Sequence, residues 1–392
     1  MKYDNFGRGI VYNVLYYNMS NKSNQMKIAI VSGATKSADS VRGIGAHNSN
    51  LFDSFRKNRN KEIEIPEIGM NDDLSKYDVV HFTSFRPFFI SLPFTKPKNT
   101  KFVLTIHDLI PLVYPKYYPS GIKGGIKFMI NNFLIKKYVD RIITISETSK
   151  KDICRFLSVD PQIVDVVYIA PKKVMKKLQK GKWVDEIKNK YKLPDRFVVF
   201  DHGVNYNKNV PTLIKACKLA KVKLVIIGKH AVELEEQVKS YGKISGPQDL
   251  IRSIFKIPHP QNAHFKTLLG EIKNSDAIRP GFVSDEDLNK IFNLADMCVQ
   301  PSFYEGFGMP PLEAMTVGCP VISSKTQALV EVCGDACLYF DPNSVDDLVK
   351  KIKLFMSDSK IRNEYVKRGY EQVKKYSWDK AAMETLDVYA KA

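Results

Sequence analysis

The chain has 392 residues, 44% of them hydrophobic and 26% charged, and a formal net charge of +18 at pH 7. That length holds two domains of ordinary size, and the composition is that of a globular protein. No apolar run approaches the ~20 residues that a membrane-spanning helix needs, and no basic stretch followed by an apolar one opens the chain, so neither a spanning helix nor a secretory leader is expected.

The charge is unevenly spread. Residues 1–180 carry 29 Lys+Arg against 15 Asp+Glu, and residues 181–392 carry 31 against 27. No nucleic-acid-binding motif accompanies the excess, so nucleic acid is not an expected partner. A one-sided excess suits a first domain that meets an anionic surface or acceptor. The six cysteines are scattered without metal-ligand spacing. They are expected to be free thiols in a reducing cytoplasm, with no metal.

In chain order, residues 1–25 are polar and Asn-rich and are expected to form an N-terminal extension outside the core. Met26-Lys27-Ile28-Ala29-Ile30-Val31 reads as the start of the first strand. Strands are predicted at Lys27–Ser32, Val79–Phe82, Phe102–His107, Arg141–Ile145 and Val164–Tyr168. A second set is predicted at Phe197–Phe200, Lys223–Ile227, Ala277–Arg279, Met297–Gln300 and Pro320–Ser323. Amphipathic stretches alternate with them, among them Val210–Leu219, Ser284–Leu294 and Ser344–Ser357. Such alternation predicts parallel sheets with right-handed crossovers. The rhythm pauses between Ala170 and Arg196, where Lys172, Lys173, Lys176, Lys177 and Lys180 crowd a polar stretch. The expected fold is therefore α/β, with two facing Rossmann-like, doubly wound domains over residues 26–175 and 197–375. A linker over 176–196 joins them, and a C-terminal helix follows over 376–392. Ligands in such sheets bind beyond the carboxyl ends of the strands, so two facing domains make one cleft.

Four groups of residues fall at strand ends, where that cleft should lie. The richest runs from Pro301 to Val321, with Glu305 and Glu313 eight positions apart and Gly306, Phe307 and Gly308 after the first carboxylate. A strand, a glycine turn and a helix opening on proline present backbone N–H groups that suit a phosphate. Arg42-Gly43-Ile44-Gly45-Ala46-His47 follows the first strand. Its glycines, Gly43 and Gly45, permit close backbone approach, although a plain tight turn reads the same way. Thr105-Ile106-His107-Asp108-Leu109-Ile110-Pro111 ends an apolar strand in a histidine and a carboxylate, and His81 ends the strand before it. Asn205-Tyr206-Asn207-Lys208-Asn209 places a lysine in the turn before a helix. Each of these also has a structural reading: a solvated lysine, a satisfied core histidine, an ordinary turn.

The segment around Glu305 resembles the signature of the retaining glycosyltransferases of family 4, a Glu, seven residues, Glu pattern inside Glu-Gly-Phe-Gly-x-Pro-x-x-Glu-Ala-Met, and every fixed position is present. The likeness extends through Gly281-Phe282-Val283-Ser284-Asp285 and Glu331-Val332-Cys333-Gly334-Asp335-Ala336. The resemblance implies the two-domain GT-B architecture and transfer of a hexose from a nucleotide diphosphate sugar to a hydroxyl of a glycan or lipid-linked acceptor. It implies no metal and no cofactor beyond the donor. Glu305, His107 and Lys208 would act at the reacting centre, Lys208 by neutralising the leaving diphosphate. Gly43, Gly45, Asn205, Gly281, Phe282, Val283, Gly306, Phe307, Gly308 and Glu313 would line the donor, with Glu313 on the ribose hydroxyls. His81 and Asp108 would sit on the acceptor side. The sequence departs from many relatives near Gly203 and offers no second cation beside Lys208, for which Arg279 or Lys325 would substitute. The His-Asp-Leu-Ile-Pro string resembles members that transfer mannose or rhamnose into surface polysaccharides, which leans towards GDP-mannose over a UDP-hexose. A nucleotide-sugar epimerase of the same fold and a non-catalytic basic binding protein are the alternatives.

Ile122 to Ile142 mixes Ile126, Phe128, Met129, Phe133, Leu134, Ile135 and Val139 with Lys123, Lys127, Lys136, Lys137 and Arg141. The pattern reads either as a basic amphipathic helix lying on an anionic membrane, or as a surface helix packing its apolar face on its own domain. The first reading would make the protein cytoplasmic and peripheral on the membrane face.

Overall fold

The computed structural model describes residues 26–31, 44–57, 65–240 and 259–392. The expected N-terminal extension and the turn carrying Arg42 and Gly43 lie outside the described residues. Six strands form the first sheet: β1 (Ile28–Val31), β2 (Glu67–Ile68), β3 (Val79–Phe82), β4 (Lys101–Thr105), β5 (Val139–Thr144) and β6 (Val164–Val166). Six more form the second: β7 (Phe197–Asp201), β8 (Lys223–Ile227), β9 (Ile278–Gly281), β10 (Met297–Gln300), β11 (Val321–Ser324) and β12 (Cys337–Phe340). The orders are β2-β1-β3-β4-β5-β6 and β12-β11-β10-β7-β8-β9, and the described pairings are all parallel. This is the expected pair of doubly wound domains.

Helices cover both faces of each sheet, which is why the central strands read as unbroken apolar runs. Every residue of β3, β7 and β10 is buried. Serines start the predicted helices where β-structure ends: Ser284, Ser344 and Ser377 each accept a hydrogen bond from the backbone N–H three residues on. β2 and β12 were not predicted. Two residues carry no period, and Cys337–Phe340 is an edge strand with two half-buried positions.

The stretch read as linker is shorter than expected because it contains a helix, Trp183–Tyr191. Lys190 and Tyr191 both bond Asp287 Oδ2, at 2.7 and 2.8 Å, fixing that helix to the second domain. The C-terminal helix Trp378–Lys391 packs back against the first domain. Trp378 Nε1 donates to Pro171 O at 2.8 Å, and Lys391 pairs with Asp165 at 3.7 Å. Tyr389 Oη lies 2.7 Å from His81 Nδ1, while His81 Nε2 lies 2.6 Å from Thr105 Oγ1. Both nitrogens of the buried His81 ring are thus engaged, and burial, then the neighbouring His107, pushes it down to about 3. It ties the last helix to the first sheet and does not face an acceptor, a correction to its expected role.

Candidate active site

The second sheet reverses direction at its middle. From β7 the chain moves outward through β8 to β9, then returns to β10 on the opposite side of β7 and continues through β11 to β12. The crevice beyond the carboxyl ends of β7 and β10 is the switch point, where doubly wound sheets bind ligands. The loops that leave those two strands carry Lys208 and Glu305.

Lys208 ends a tight turn, Tyr206–Lys208. Asn209 follows in the left-handed region (φ 52°) and donates through its side chain to Pro301 O at 3.1 Å and Pro342 O at 2.8 Å. An asparagine tolerates that backbone where a branched residue would not, so the turn and the β10 loop are locked together. Lys208 is only 8% exposed, and its ammonium bonds both carboxylate oxygens of Glu305, at 2.8 and 2.7 Å. Glu305 Oε1 also accepts from Gln300 Nε2 at 2.8 Å and Ser302 Oγ at 2.5 Å. Burial alone would raise this carboxyl. The opposing charges of Lys208 and His202, with hydrogen bonds from Lys208 and Ser302, outweigh it and hold Glu305 below the usual range. The result is a buried cation held against an ionised carboxylate.

The glycine turn after Glu305 is shaped by the first domain. A Cβ on Gly306 would meet Asp108 Cβ at 2.8 Å, and the Gly306 carbonyl accepts from Ser146 Oγ at 2.6 Å and Ser149 Oγ at 3.2 Å. Gly308, at φ 114°, opens the helix Met309–Thr316, and a Cβ there would meet Leu329 at 2.6 Å. Pro310 and Pro311 occupy early helical positions and carry no N–H. The donors available to an anion are therefore those of the loop itself more than of the helix end. Asp108, from the first domain, accepts from Ile110 N at 3.1 Å. Burial raises its carboxyl, the Ile110 bond and Lys208 lower it, and Glu305 and Asp152 add to the rise. The upward direction wins. His107, on the same loop, is pushed down to about 4 by burial and is neutral near pH 7.

Glu313 lies one helical turn inside the same element and is 1% exposed. Burial pushes its carboxyl up to about 7 against the pull of Lys172, and Asp201 and Asp285 add to the rise. Lys172 Nζ stands 2.7 Å from Asp285 and 3.8 Å from Glu313 Oε1, and Oε1 accepts no hydrogen bond among the described residues. A site that donates hydrogen bonds to this carboxylate favours its ionised form, so binding and deprotonation are linked. Lys172 was expected only as a linker lysine. No sequence signal separated it from its four neighbours.

The other expected residues are distributed as follows. Gly281 (φ 79°) lets its carbonyl accept from Gly228 N at 2.9 Å; Phe282 is exposed, and Val283 is fully buried in the core. Asn205 caps the Lys208 turn through its carbonyl, with Lys208 N donating at 2.9 Å. Gly45 lies in the first turn of the helix Ile44–Lys57. Arg279 bonds Ala231 O at 2.8 Å and pairs with Glu235 at 3.6 Å, so its guanidinium is committed away from Lys208. Lys325 is exposed. In the position beside Lys208, Asn207 instead accepts from Tyr118 Oη at 2.6 Å across the cleft and donates to Tyr304 O at 3.0 Å.

Comparisons with known proteins bear on the family and the fold. Residues 182–372 match the family model described as glycosyl transferases group 1, and residues 33–170 match that of Glycosyltransferase Family 4. The chain is 26% identical over 283 residues to the serotype-specific mannosyltransferase WbdA of Escherichia coli, covering 72% of this chain. That match spans about a third (32%) of WbdA's own length. It is 27% identical over 292 residues to the O-antigen chain mannosyltransferase RfbU of Salmonella typhimurium, covering 69% of this chain and 70% of the relative. Among solved structures, sucrose-phosphate synthase from Thermosynechococcus elongatus superposes with a TM-score of 0.63 at 17% identity, over 93% of this chain and 98% of the other. HepE of Anabaena, in complex with UDP and glucose, gives 0.62 at 13% identity, over 93% and 100%. Two six-stranded parallel sheets with such neighbours are the GT-B fold. With both domain models matched and the Glu305-to-Glu313 signature seated at the switch point, the chain belongs to the group 1, family 4 glycosyltransferases.

Proposed function

We propose that the protein is a retaining, metal-independent glycosyltransferase that moves mannose from GDP-mannose to a hydroxyl of a glycan or lipid-linked glycan, in the synthesis of a surface polysaccharide. The observation that carries this reading is the buried Lys208–Glu305 pair at the switch point of the second sheet. The names of WbdA and RfbU support mannose, and the six free cysteines support a reducing, cytoplasmic setting at the membrane face where a lipid-linked acceptor would be met.

In this reading the donor diphosphate enters the crevice and draws Lys208 from Glu305 on binding, and the loop N–H groups from Gly306 to Gly308 complete its cradle. Developing negative charge on the leaving oxygen then meets dipoles and a cation already set in place when the donor bound. The bond from the anomeric carbon to the diphosphate oxygen breaks, and the acceptor oxygen bonds that carbon on the same face. The acceptor's proton passes to the departing phosphate. In the same reading neutral His107 hydrogen-bonds the sugar, Glu305 faces the positive anomeric centre, and Glu313 accepts from the ribose hydroxyls.

Thermal shifts with GDP, UDP, ADP and dTDP, and with their common sugars, test the donor site, since a ligand of the folded state raises the melting temperature with occupancy. A shift for GDP and GDP-mannose that Glu313→Ala weakens is the expected result, and no shift with any nucleotide overturns the reading. Product analysis without an acceptor separates transfer from epimerisation.

The Glu313 carboxyl gives the site a pH signature. Its folded value, about 7, is raised above the usual 4.5. Donor binding that needs the ionised form should therefore strengthen as pH rises through 7, and the donor KM should be roughly tenfold higher at pH 6 than at pH 8. Glu313→Gln should flatten that profile. The same substitution should raise the melting temperature at pH 8, where the buried charge opposes folding, and change it little at pH 5. A wild-type profile flat from pH 6 to 8 would remove Glu313 from donor binding.

A further inference from the structure

The helix over Gly121–Tyr138 packs one side on its own domain and leaves a second apolar side exposed. Gly121–Tyr138 buries Gly124, Asn131, Leu134 and Ile135 against its own domain. Its other side carries Ile122, Ile126, Met129 and Phe133, spaced four, three and four apart, and so one continuous stripe. These four are between 50% and 73% exposed. Beside them stand Phe89 at 58% and Phe94 at 64%, on a loop whose sequence gave no hint of membrane contact. Scattered exposed apolar residues are ordinary; six in one patch mark an interaction surface.

The patch is held out by construction. Asn131, fully buried, donates to Phe89 O at 2.6 Å and Pro87 O at 3.2 Å, and accepts from Ser91 N at 3.1 Å. Tyr138 Oη donates to Phe94 O at 3.0 Å. Phe85 and Leu92 anchor the loop in the core, and Gly124 leaves room for Phe88, whose Cβ would lie 3.3 Å from a Cβ there. The loop is thus pinned at both ends, with its two remaining phenylalanines turned to solvent.

The charge around the patch has one sign. The helix carries Lys123, Lys127, Lys136 and Lys137 and no acidic residue. Lys127 lies over the Phe89 ring at 5.5 Å and Lys137 over Phe133 at 5.4 Å. Asp140, the next acid along, is taken up by Lys96, Lys101 and the Phe102 N–H. An apolar stripe ringed by lysines, with aromatic tips and no carboxylates, complements the headgroup and upper acyl layer of an anionic bilayer. A protein partner would need compensating acids on its own face, and nothing here selects one.

We infer that Phe89, Phe94 and the Ile122-Ile126-Met129-Phe133 stripe form an interfacial membrane-docking surface for anionic lipid. The helix begins at Gly121, three residues after Tyr118, whose hydroxyl bonds Asn207 beside Lys208.

The test is co-sedimentation of the full chain with vesicles of phosphatidylcholine alone and of phosphatidylcholine mixed with phosphatidylglycerol. The wild type should bind the anionic vesicles, more weakly as salt is raised, and the neutral ones poorly. Ile126→Ser/Met129→Ser/Phe133→Ser should bind on the order of a hundredfold more weakly. Its melting temperature and turnover on a water-soluble acceptor should be unchanged, since the three side chains are exposed. Lys123→Gln/Lys127→Gln/Lys136→Gln/Lys137→Gln should abolish the preference for anionic lipid. Binding to neither vesicle, or equal binding by the triple variant, overturns the proposal. So does a wild-type dimer, seen by light scattering, that the triple variant dissolves without any vesicle binding, since the stripe then meets a second copy.

Discussion

Lys208→Met is expected to cut turnover steeply and to destabilise the chain at once, whereas Lys208→Met/Glu305→Gln should recover the stability and none of the lost turnover. The two groups pair at 2.7 Å with both side chains about one-tenth exposed. Deleting one partner of such a pair leaves an uncompensated buried charge, at a cost of about 3–5 kcal/mol. Replacing both by neutral groups of similar shape removes the charge and with it most of that cost. The pH dependence follows from the sign of the shift. In the wild type Glu305 sits below its ordinary value, so it adds stability above about pH 4.5 that is lost as pH falls through its lowered folded value. Without Lys208 the burial effect dominates and raises the carboxyl, so the single variant should be least stable at pH 8 and approach the wild type towards pH 5. Losing the cation proposed to meet the leaving diphosphate should cost on the order of 10^2–10^3 in kcat, and the double variant should share that loss. Unfolding at pH 5 and pH 8, beside kcat, separates the two effects. A single variant that melts with the wild type at pH 8 would show that the pair is not buried as described.

The Lys208–Glu305 meeting was only half legible in the sequence. Each residue was expected at the cleft, since each follows an apolar β-branched run and precedes a helix, and that pattern survives in one dimension. Their direct bond, across 97 positions of chain, was not, because it depends on β10 returning to the far side of β7. Strands such as Val79–Phe82 and Met297–Gln300, buried on both faces, were found with their bounds unchanged. The two-residue β2 and the helix Trp183–Tyr191 were not, the first having no period and the second being masked by its lysines. His81 failed for a different reason. A histidine at a strand end reads the same whether its nitrogens meet substrate or, as here, Thr105 and a tyrosine 308 residues away. Lys172, Ser146 and Ser149 were not read as site residues because they act between domains, and single-chain spacing holds no record of which faces meet.

That interdomain layer carries the second large effect. Glu331 is on the helix Gln327–Cys333 of the second domain, yet its carboxylate serves the first. One oxygen accepts from Glu147 N at 2.7 Å and Tyr168 Oη at 3.0 Å, the other from Thr148 N at 3.0 Å and Thr148 Oγ1 at 2.9 Å. It therefore caps the first-domain helix Glu147–Leu157 from outside, at the end where the helix dipole favours a negative charge. The same helix start supplies the Ser146 and Ser149 hydroxyls that hold the Gly306 carbonyl. Glu331→Ala should thus weaken the contact between the domains by about 3 kcal/mol or more, which lowers the ratio of closed to open molecules on the order of a hundredfold. Glu331→Gln should cost less than Glu331→Ala, because its amide oxygen still accepts from one donor pair while its NH2 opposes the backbone N–H of the other, and Thr148→Val, which removes one bond of the four, should cost least. Because Glu331 does not touch Lys208, nucleoside diphosphate affinity for the second domain should hold, in contrast to Lys208→Met, where it should fall. Turnover should drop by about 10^2, and the radius of gyration from small-angle scattering should increase. An unchanged radius with unchanged turnover would mean that closure rests on the Tyr118–Asn207 and Ser146–Gly306 contacts without the Glu331 cap.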